Sequence, residues 1–303
     1  MHLPKQGIIC ADLTATIEWR AKMLRFGPAG NADRFYDEGY KSTVEAPQWL
    51  SGMGLTAYEY SCGRGVALSD GTAQKIREQA VKFGIAVSLH APYFINLANP
   101  DPEKRENSFR YIMNAAYAVE QLGGERVVVH TGAVMKLELR EALENCRRGL
   151  REAYTRLEDI GLGHIRLCPE TMGKRSQIGG LKEILDFCQL DERMLPTVDF
   201  AHLHAIACGA LNTEEDFAAI LDTVEAELGL ERARQMHMHF STIEYTQAGE
   251  KRHRTFADTD YGPRFELLAP LLKARGYCGT VICECSGTQA DDAAAMQKMW
   301  AEA

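Results

Sequence analysis

The stretch Ile165-Arg166-Leu167-Cys168-Pro169-Glu170-Thr171-Met172-Gly173 decides how the rest of the chain is read. Its Ile-x-Leu-Cys run has the character of a short buried strand, and Pro169 stops an ordinary ladder from continuing. Glu170 therefore stands where a strand ends and a glycine-containing loop begins. Other strand-like runs also finish on side chains able to bind a metal: His90, His130, Asp199, His237 and Glu284. One such residue would mean little. Six at equivalent places predict parallel strands whose ends converge on one metal site.

Working outward, strand-like runs recur near Gly7–Cys10, Ala57–Tyr60, Ala86–His90, Arg126–His130, Ile165–Pro169, Leu195–Phe200, Gln235–His239 and Thr280–Glu284. Amphipathic helical patterns separate them. Phe109, Ile112, Met113, Ala116, Val119 and Leu122 fall on one helical face, and Leu139, Leu143, Cys146, Leu150, Tyr154 and Leu157 on another. Glycines such as Gly84, Gly123, Gly161, Gly229 and Gly276 suit helix C-termini. Eight strands alternating with helices predict a single (β/α)8 TIM barrel over residues 1–303, with its chemistry at the C-terminal strand ends. The segment Leu24–Ser51, rich in glycine and polar residues, reads as a long first loop over the barrel mouth, with a short helix starting near Ser42 or Pro47.

Bulk composition narrows the function. The 303 residues are 46% hydrophobic and 25% charged, which is ordinary globular composition. No apolar run is long enough to span a bilayer. The N-terminus lacks the charged-then-apolar plan of a signal peptide, so a cytoplasmic protein with no membrane partner is expected. Nine scattered cysteines without a CxxC pair fit reduced, mostly buried thiols. Strand alternation turns Cys283 and Cys285 away from the face of Glu284, and core packing is the expected role. A formal net charge of −8 argues against a strong non-specific nucleic-acid binder, but ions held in one pocket would make its mouth locally positive.

The candidate ligands are His90 in SLHAPYFINL, His130 in VVVHTG, Glu170 in PETMG, and Asp199 with His202 in VDFAHLH. His237 in MHMHF, His253 in EKRHR and Glu284 in VICECSG complete the set. Imidazole with carboxylate suits zinc, manganese or iron(II), and no thiolate cluster points to a structural zinc. Singly these residues have plainer readings. A strand-end histidine is most often a hydrogen-bonded polar group, and a strand-end acid commonly caps the next helix. The joint pattern carries the metal reading. His237 and His239 point to the same side of an extended strand, so alternation does not choose between them. His2, His164 and His204 lack such placement and read as incidental.

At these residues the chain resembles the endonuclease IV family, zinc-dependent repair enzymes that cut DNA at abasic sites, within the wider xylose-isomerase-like barrel superfamily. The likeness runs from about Ala57 to Glu284 and rests on the order and spacing of short motifs. It implies one zinc held by His90, His130 and Glu170, and a second held by Glu170, Asp199, His237 and Glu284, with Glu170 bridging. His202 and His253 would belong to a third. The family has an aspartate two residues before the last histidine, where this chain has Lys251. A third ion is therefore expected to be weakened unless Asp258 or Asp260 substitutes, so the resemblance implies two or three ions. The family's first-strand Gly-Ala-His motif is missing, and only GIICAD is found. Tyr93 and Phe94 match positions that wedge into the DNA helix, and Arg64 in SCGRG matches a DNA-contacting arginine. Packing at the barrel mouth is the plainer role for that aromatic pair.

The implied reaction is hydrolysis of a phosphodiester in abasic DNA. Clustered ions bring the pKa of water near neutral, from ~16 in bulk, and Glu170 would position the nucleophile. The rival is a sugar isomerase or epimerase of the same superfamily, with one ion on Glu170, Asp199, His237 and Glu284 and the two glutamates as acid and base. The acidic balance and Lys251 favour the rival, whereas His90, His130, His202 and His253 favour the nuclease.

Overall fold

Strands and helices alternate along the computed structural model, which describes residues 23–303. The barrel strands are β1 (Arg25–Pro28), β2 (Ala57–Ser61), β3 (Ala86–His90), β4 (Arg126–Val129), β5 (Arg166–Pro169), β6 (Thr197–Asp199), β7 (His237–Phe240) and β8 (Thr280–Cys283). They form two parallel sheets in the orders β1-β8-β7-β6 and β2-β3-β4-β5. Parallel bridges from Ala29 to Glu59 and from Glu170 to Thr197 close both seams. The result is a closed (β/α)8 barrel, as the alternating pattern predicts.

The start of the barrel departs from the sequence reading. The expected strand at Gly7–Cys10 lies outside the described residues. The first strand observed, β1, falls instead within the segment read as a long loop. Phe26-Gly27-Pro28 carries two residues that ordinarily mark turns. Here each has a different use. A Cβ on Gly27 would collide with the carbonyl of Ala57, so glycine lets β1 and β2 approach. Pro28 ends the strand, where its missing N–H breaks no further ladder, and Ala29 N resumes with a 2.9 Å bond to Cys283 O. The rest of the segment holds a helix at Asp33–Asp37, a turn opened by a Ser42–Glu45 capping box, and a helix at Ala46–Gly52 with Pro47 in its first turn.

Helices pack around the ring through the faces their periodicity predicts. In the helix Pro102–Gln121, Asp101 caps the first turn while Phe109, Ile112, Ala116 and Val119 are buried against the barrel. Each large apolar side chain so buried contributes roughly 1.5–3 kcal/mol. Leu139 is the exception in the next helix, 49% exposed at its first turn. Among the described residues no helix is long and apolar enough to cross a membrane. After β7 the chain forms an antiparallel hairpin, Thr242–Thr246 with Gly249–Arg254, which carries His253 over the C-terminal end of the barrel.

Candidate metal centre

Glu170 follows β5 and is fully buried. Its two oxygens face different neighbours. Oε2 lies 3.2 Å from His90 Nε2 and 3.0 Å from His130 Nε2. Oε1 lies 3.1 Å from His239 Nδ1 and 3.6 Å from His202 Nδ1. Glu284 follows β8, with Oε1 3.3 Å from His239 Nδ1 and Oε2 3.9 Å from His253 Nε2. Two groups of donor atoms, each within 4.8 Å of one another, are thereby assembled: His90, Glu170, His239 and Glu284, and next to them Asp199, His202, His253 and Glu284. His90, Glu170, His202, His253 and Glu284 of these groups line a cavity of about 550 Å³ at the C-terminal strand ends, together with His130. A larger cavity of about 1030 Å³ is lined by Arg25, Ala86, Arg126 and Thr280 at the strand starts, and contains none of these groups.

Neighbouring backbone and hydroxyl groups fix the rings. His90 Nδ1 is 2.8 Å from Ala91 O, which turns Nε2 toward Glu170. His202 Nδ1 is 2.8 Å from Thr171 O, and His253 Nδ1 is 2.7 Å from Ser241 Oγ. Asp199 has a double use. Its Oδ1 accepts from His202 N and caps the helix Phe200–Ile206, whereas Oδ2 is buried, lies 3.3 Å from His202 Nδ1 and makes no hydrogen bond among the described residues. Such an atom in a donor set of imidazole nitrogens and carboxylate oxygens fits a divalent cation of the zinc, manganese or iron(II) type.

The electrostatics point the same way. Burial opposes charge on His90, His202, Glu170, Glu284 and Asp199, yet the ionic neighbours outweigh it at most of them. His90 is carried up to about 9 by the hydrogen bond and charge of Glu170, and His202 up to about 9 by Asp199 and Glu170. Glu284 is held down to about 2 by His239, and Glu170 well below the ordinary range by His239, His130 and His90. Asp199 is the exception, pushed up by burial. Buried carboxylates thus draw cationic charge onto His90, His202 and His239, the charge a metal ion would otherwise provide.

The residues expected from sequence are brought together with two departures. His237 does not join either mouth group. It lies deeper, with Nε2 2.9 Å from Glu59 Oε2, and His239 takes the place beside Glu170 and Glu284. Alternation left the pair open, and the parallel register settles it: His237 pairs with Thr197 and Thr280 at the strand starts, His239 with Asp199. The second departure is Lys251. It does not approach His202 or His253, but reaches the exposed face of the hairpin and pairs with Glu244. A β-bulge explains this. Glu244 pairs with Arg252 and Tyr245 with Glu250, leaving Lys251 as the extra residue. Lys251, Arg252 and Arg254 all meet Glu244 on the outer face. Glu250 turns inward, with Oε2 3.5 Å from His202 Nε2. Gly173 makes room for both, since a Cβ there would stand 2.7 Å from Glu250 Cβ and 2.8 Å from His202 Cδ2. Asp258 is engaged with Thr255, and Asp260 is exposed.

Tyr93 and Phe94 stand at the rim, 51% and 47% exposed, with ring centroids 4.3 Å apart. Tyr93 N bonds Gly63 O at 3.3 Å, which ties the aromatic pair to the loop carrying exposed Arg64. Cys283 and Cys285 are buried with sulfurs 3.6 Å apart, and Cys285 Sγ lies 3.1 Å from Asp292 Oδ2. His164 pairs with Glu120 on the surface, and buried His204 packs edge-on against Tyr245. Sequence reasoning missed Glu59 and Glu250. The available signal for Glu59 was an acid inside the otherwise apolar run of β2.

Fold and site define a (β/α)8 barrel with candidate metal-ligand clusters at its mouth, and residues 47–302 match the family model described as xylose isomerase-like TIM barrel. The chain belongs to that family. An uncharacterised protein of Methanocaldococcus jannaschii is 35% identical over 88% of this chain and 93% of its own length. A probable endonuclease 4 of Shouchella clausii is 25% identical over 74% of this chain and 78% of its own. Among solved structures, endonuclease IV of Thermus thermophilus superposes with a TM-score of 0.68 at 22% identity, covering 92% of this chain and 100% of that one. A D-tagatose 3-epimerase-like protein gives 0.69 at 20% identity, covering 92% and 97%. At such identities the two structures establish the fold alone.

Proposed function

We propose that the chain is a divalent-metal-dependent phosphodiester hydrolase that cuts DNA at abasic sites. The observation that carries this reading is the division of Glu170. One oxygen faces His90 and His130, and the other faces His239. A single-ion isomerase needs only one side of that carboxylate, whereas a bridging ligand uses both. His90, His130 and Glu170 would hold one ion, and Glu170, Asp199, His239 and Glu284 a second. Zinc suits these donors, with manganese or iron(II) as alternatives. When bound, such ions supply an acidified water and positive charge for the phosphate oxygens. The chain's own residues orient that chemistry: Glu170 positions the nucleophile, and Tyr93, Phe94 and Arg64 meet the duplex.

A duplex with one synthetic abasic site, incubated with zinc-, manganese- or cobalt-loaded protein, is expected to be nicked at that site in a chelator-sensitive way. No nicking with any of the three, together with epimerisation of a ketose, would replace this reading. Glu170 and Glu284, which both face His239, would then be the acid–base pair on one ion.

A further position lies between His202 and His253. Because Lys251 is turned outward, Glu250 is a further carboxylate beside His202, added to Asp199 and Glu284 of the same donor group. Glu250→Gln is expected to lower the zinc content by up to ~1 ion per chain, since an anionic ligand is lost. Lys251→Asp should leave it unchanged. Elemental analysis of the zinc-loaded variants tests this. Gain of zinc in the Lys251→Asp protein would show that the hairpin does not hold its bulge.

A further inference from the structure

Beneath the mouth of the barrel lies a second layer of ionisable groups that the proposed chemistry does not use. Glu59 projects from β2 and is fully buried. Ser88 Oγ donates to its Oε2 at 2.8 Å, and His237 Nε2 stands 2.9 Å from the same oxygen. Its other oxygen, Oε1, is 3.0 Å from His239 Nε2. That approach is off the line of an ideal hydrogen bond, yet neither Glu59 Oε1 nor His239 Nε2 has any other partner among the described residues. The second nitrogen of the same ring, His239 Nδ1, lies 3.1 Å from Glu170 and 3.3 Å from Glu284. One imidazole therefore spans from the inner carboxylate to the two outer ones.

We propose that Glu59 is a positioning residue, which holds the proton of His239 on Nε2 and so presents Nδ1 to the metal. The proposal rests on the metal reading given above. Its logic is one of donors and acceptors. An ionised carboxylate only accepts, so an imidazole nitrogen pressed against it must carry hydrogen. Both nitrogens of this ring face carboxylates, Nδ1 hydrogen-bonding Glu170 Oε1, so the ring can carry both hydrogens; a metal ion held by Glu170 and Glu284 would take the place of the one on Nδ1, leaving the one on Nε2 with Glu59. A buried carboxylate with no cation would be costly, and three donors around Glu59 offset that cost. His237 and Ser88 thus hold the carboxylate, and the carboxylate holds His239. Carboxylate–histidine pairs behind a metal orient the ring and raise its basicity.

The test measures zinc binding by chelator competition, with no nucleic acid present. Glu59→Gln keeps the shape of the side chain but places an NH2 donor among three other donors, so one histidine must change tautomer. Zinc affinity is expected to fall roughly 10- to 100-fold, with the thermal midpoint of the metal-free protein little changed. Ser88→Ala removes one of the donors that hold Glu59 but leaves Oε1 against His239, so its loss of zinc affinity should be smaller than that of Glu59→Gln. Long-range ¹H–¹⁵N spectra of the unmodified, zinc-loaded protein should show His239 protonated at Nε2 and coordinated through Nδ1, a signature independent of any variant's folding. Coordination through Nε2, or unchanged affinity in Glu59→Gln while the unmodified protein binds tightly, would overturn this proposal alone. Failure of the unmodified protein to bind zinc would overturn it together with the metal reading.

Discussion

Glu170→Gln is expected to lose metal-dependent nicking of an abasic duplex by at least ~10³-fold, equivalent to ~4 kcal/mol of transition-state stabilisation. The reason lies in how many groups share this one carboxylate. His90, His130, His239 and His202 all place a ring nitrogen within 3.6 Å of it. An amide offers one acceptor oxygen and turns an NH2 donor toward the other side, so one half of the arrangement meets a donor where it needs a lone pair. Zinc content should fall with activity, because the side chain joins both proposed ion positions. The substitution is close to isosteric, and circular dichroism should report an intact barrel. Unchanged zinc content and nicking in this variant would remove Glu170 from the mechanism.

That expectation was legible in the sequence, and the reason is physical. A barrel strand is buried on both faces and reads as an apolar run, so an acid or histidine at its end stands out against its neighbours. Glu170 after Leu167-Cys168-Pro169 and Glu284 after Val281-Ile282-Cys283 are such cases. What the sequence hid depended on register or on contacts with distant residues. His237 and His239 share a face by alternation, and only pairing with β6 and β8 places one deep and the other at the mouth. Lys251 occupies the position two residues before His253 that simple alternation turns inward. A bulge shifts the count by one, sending Lys251 out and Glu250 in, and nothing in EKRHR announces it. β1 was hidden because Gly27 and Pro28 look like a turn until the neighbouring carbonyl of Ala57 is known.

Tyr93→Ala is expected to separate recognition of the duplex from chemistry at the ions. Tyr93 and Phe94 follow β3 directly, so the strand that carries His90 also carries an exposed aromatic pair at the rim of the site cavity. Phe94 also leans on Tyr111, with ring centroids 6.2 Å apart, whereas Tyr93 is the more exposed of the two. Stacking a base on an aromatic ring contributes ~1–3 kcal/mol, roughly 5- to 150-fold in affinity. Loss of the ring should therefore weaken nicking of the abasic duplex by that factor, with most of the loss in KM. Hydrolysis of a small chromogenic phosphodiester, which has no stack to replace, should change less than ~3-fold, because its transition state is reached without the wedge. The chain's net charge of −8 gives a second handle. With few basic contacts beyond Arg64 and the metal pocket, duplex affinity should be modest and fall with added salt on a shallow slope. Equal losses on the two substrates would mean that Tyr93 shapes the metal site rather than reading the duplex, and the wedge assignment would fall.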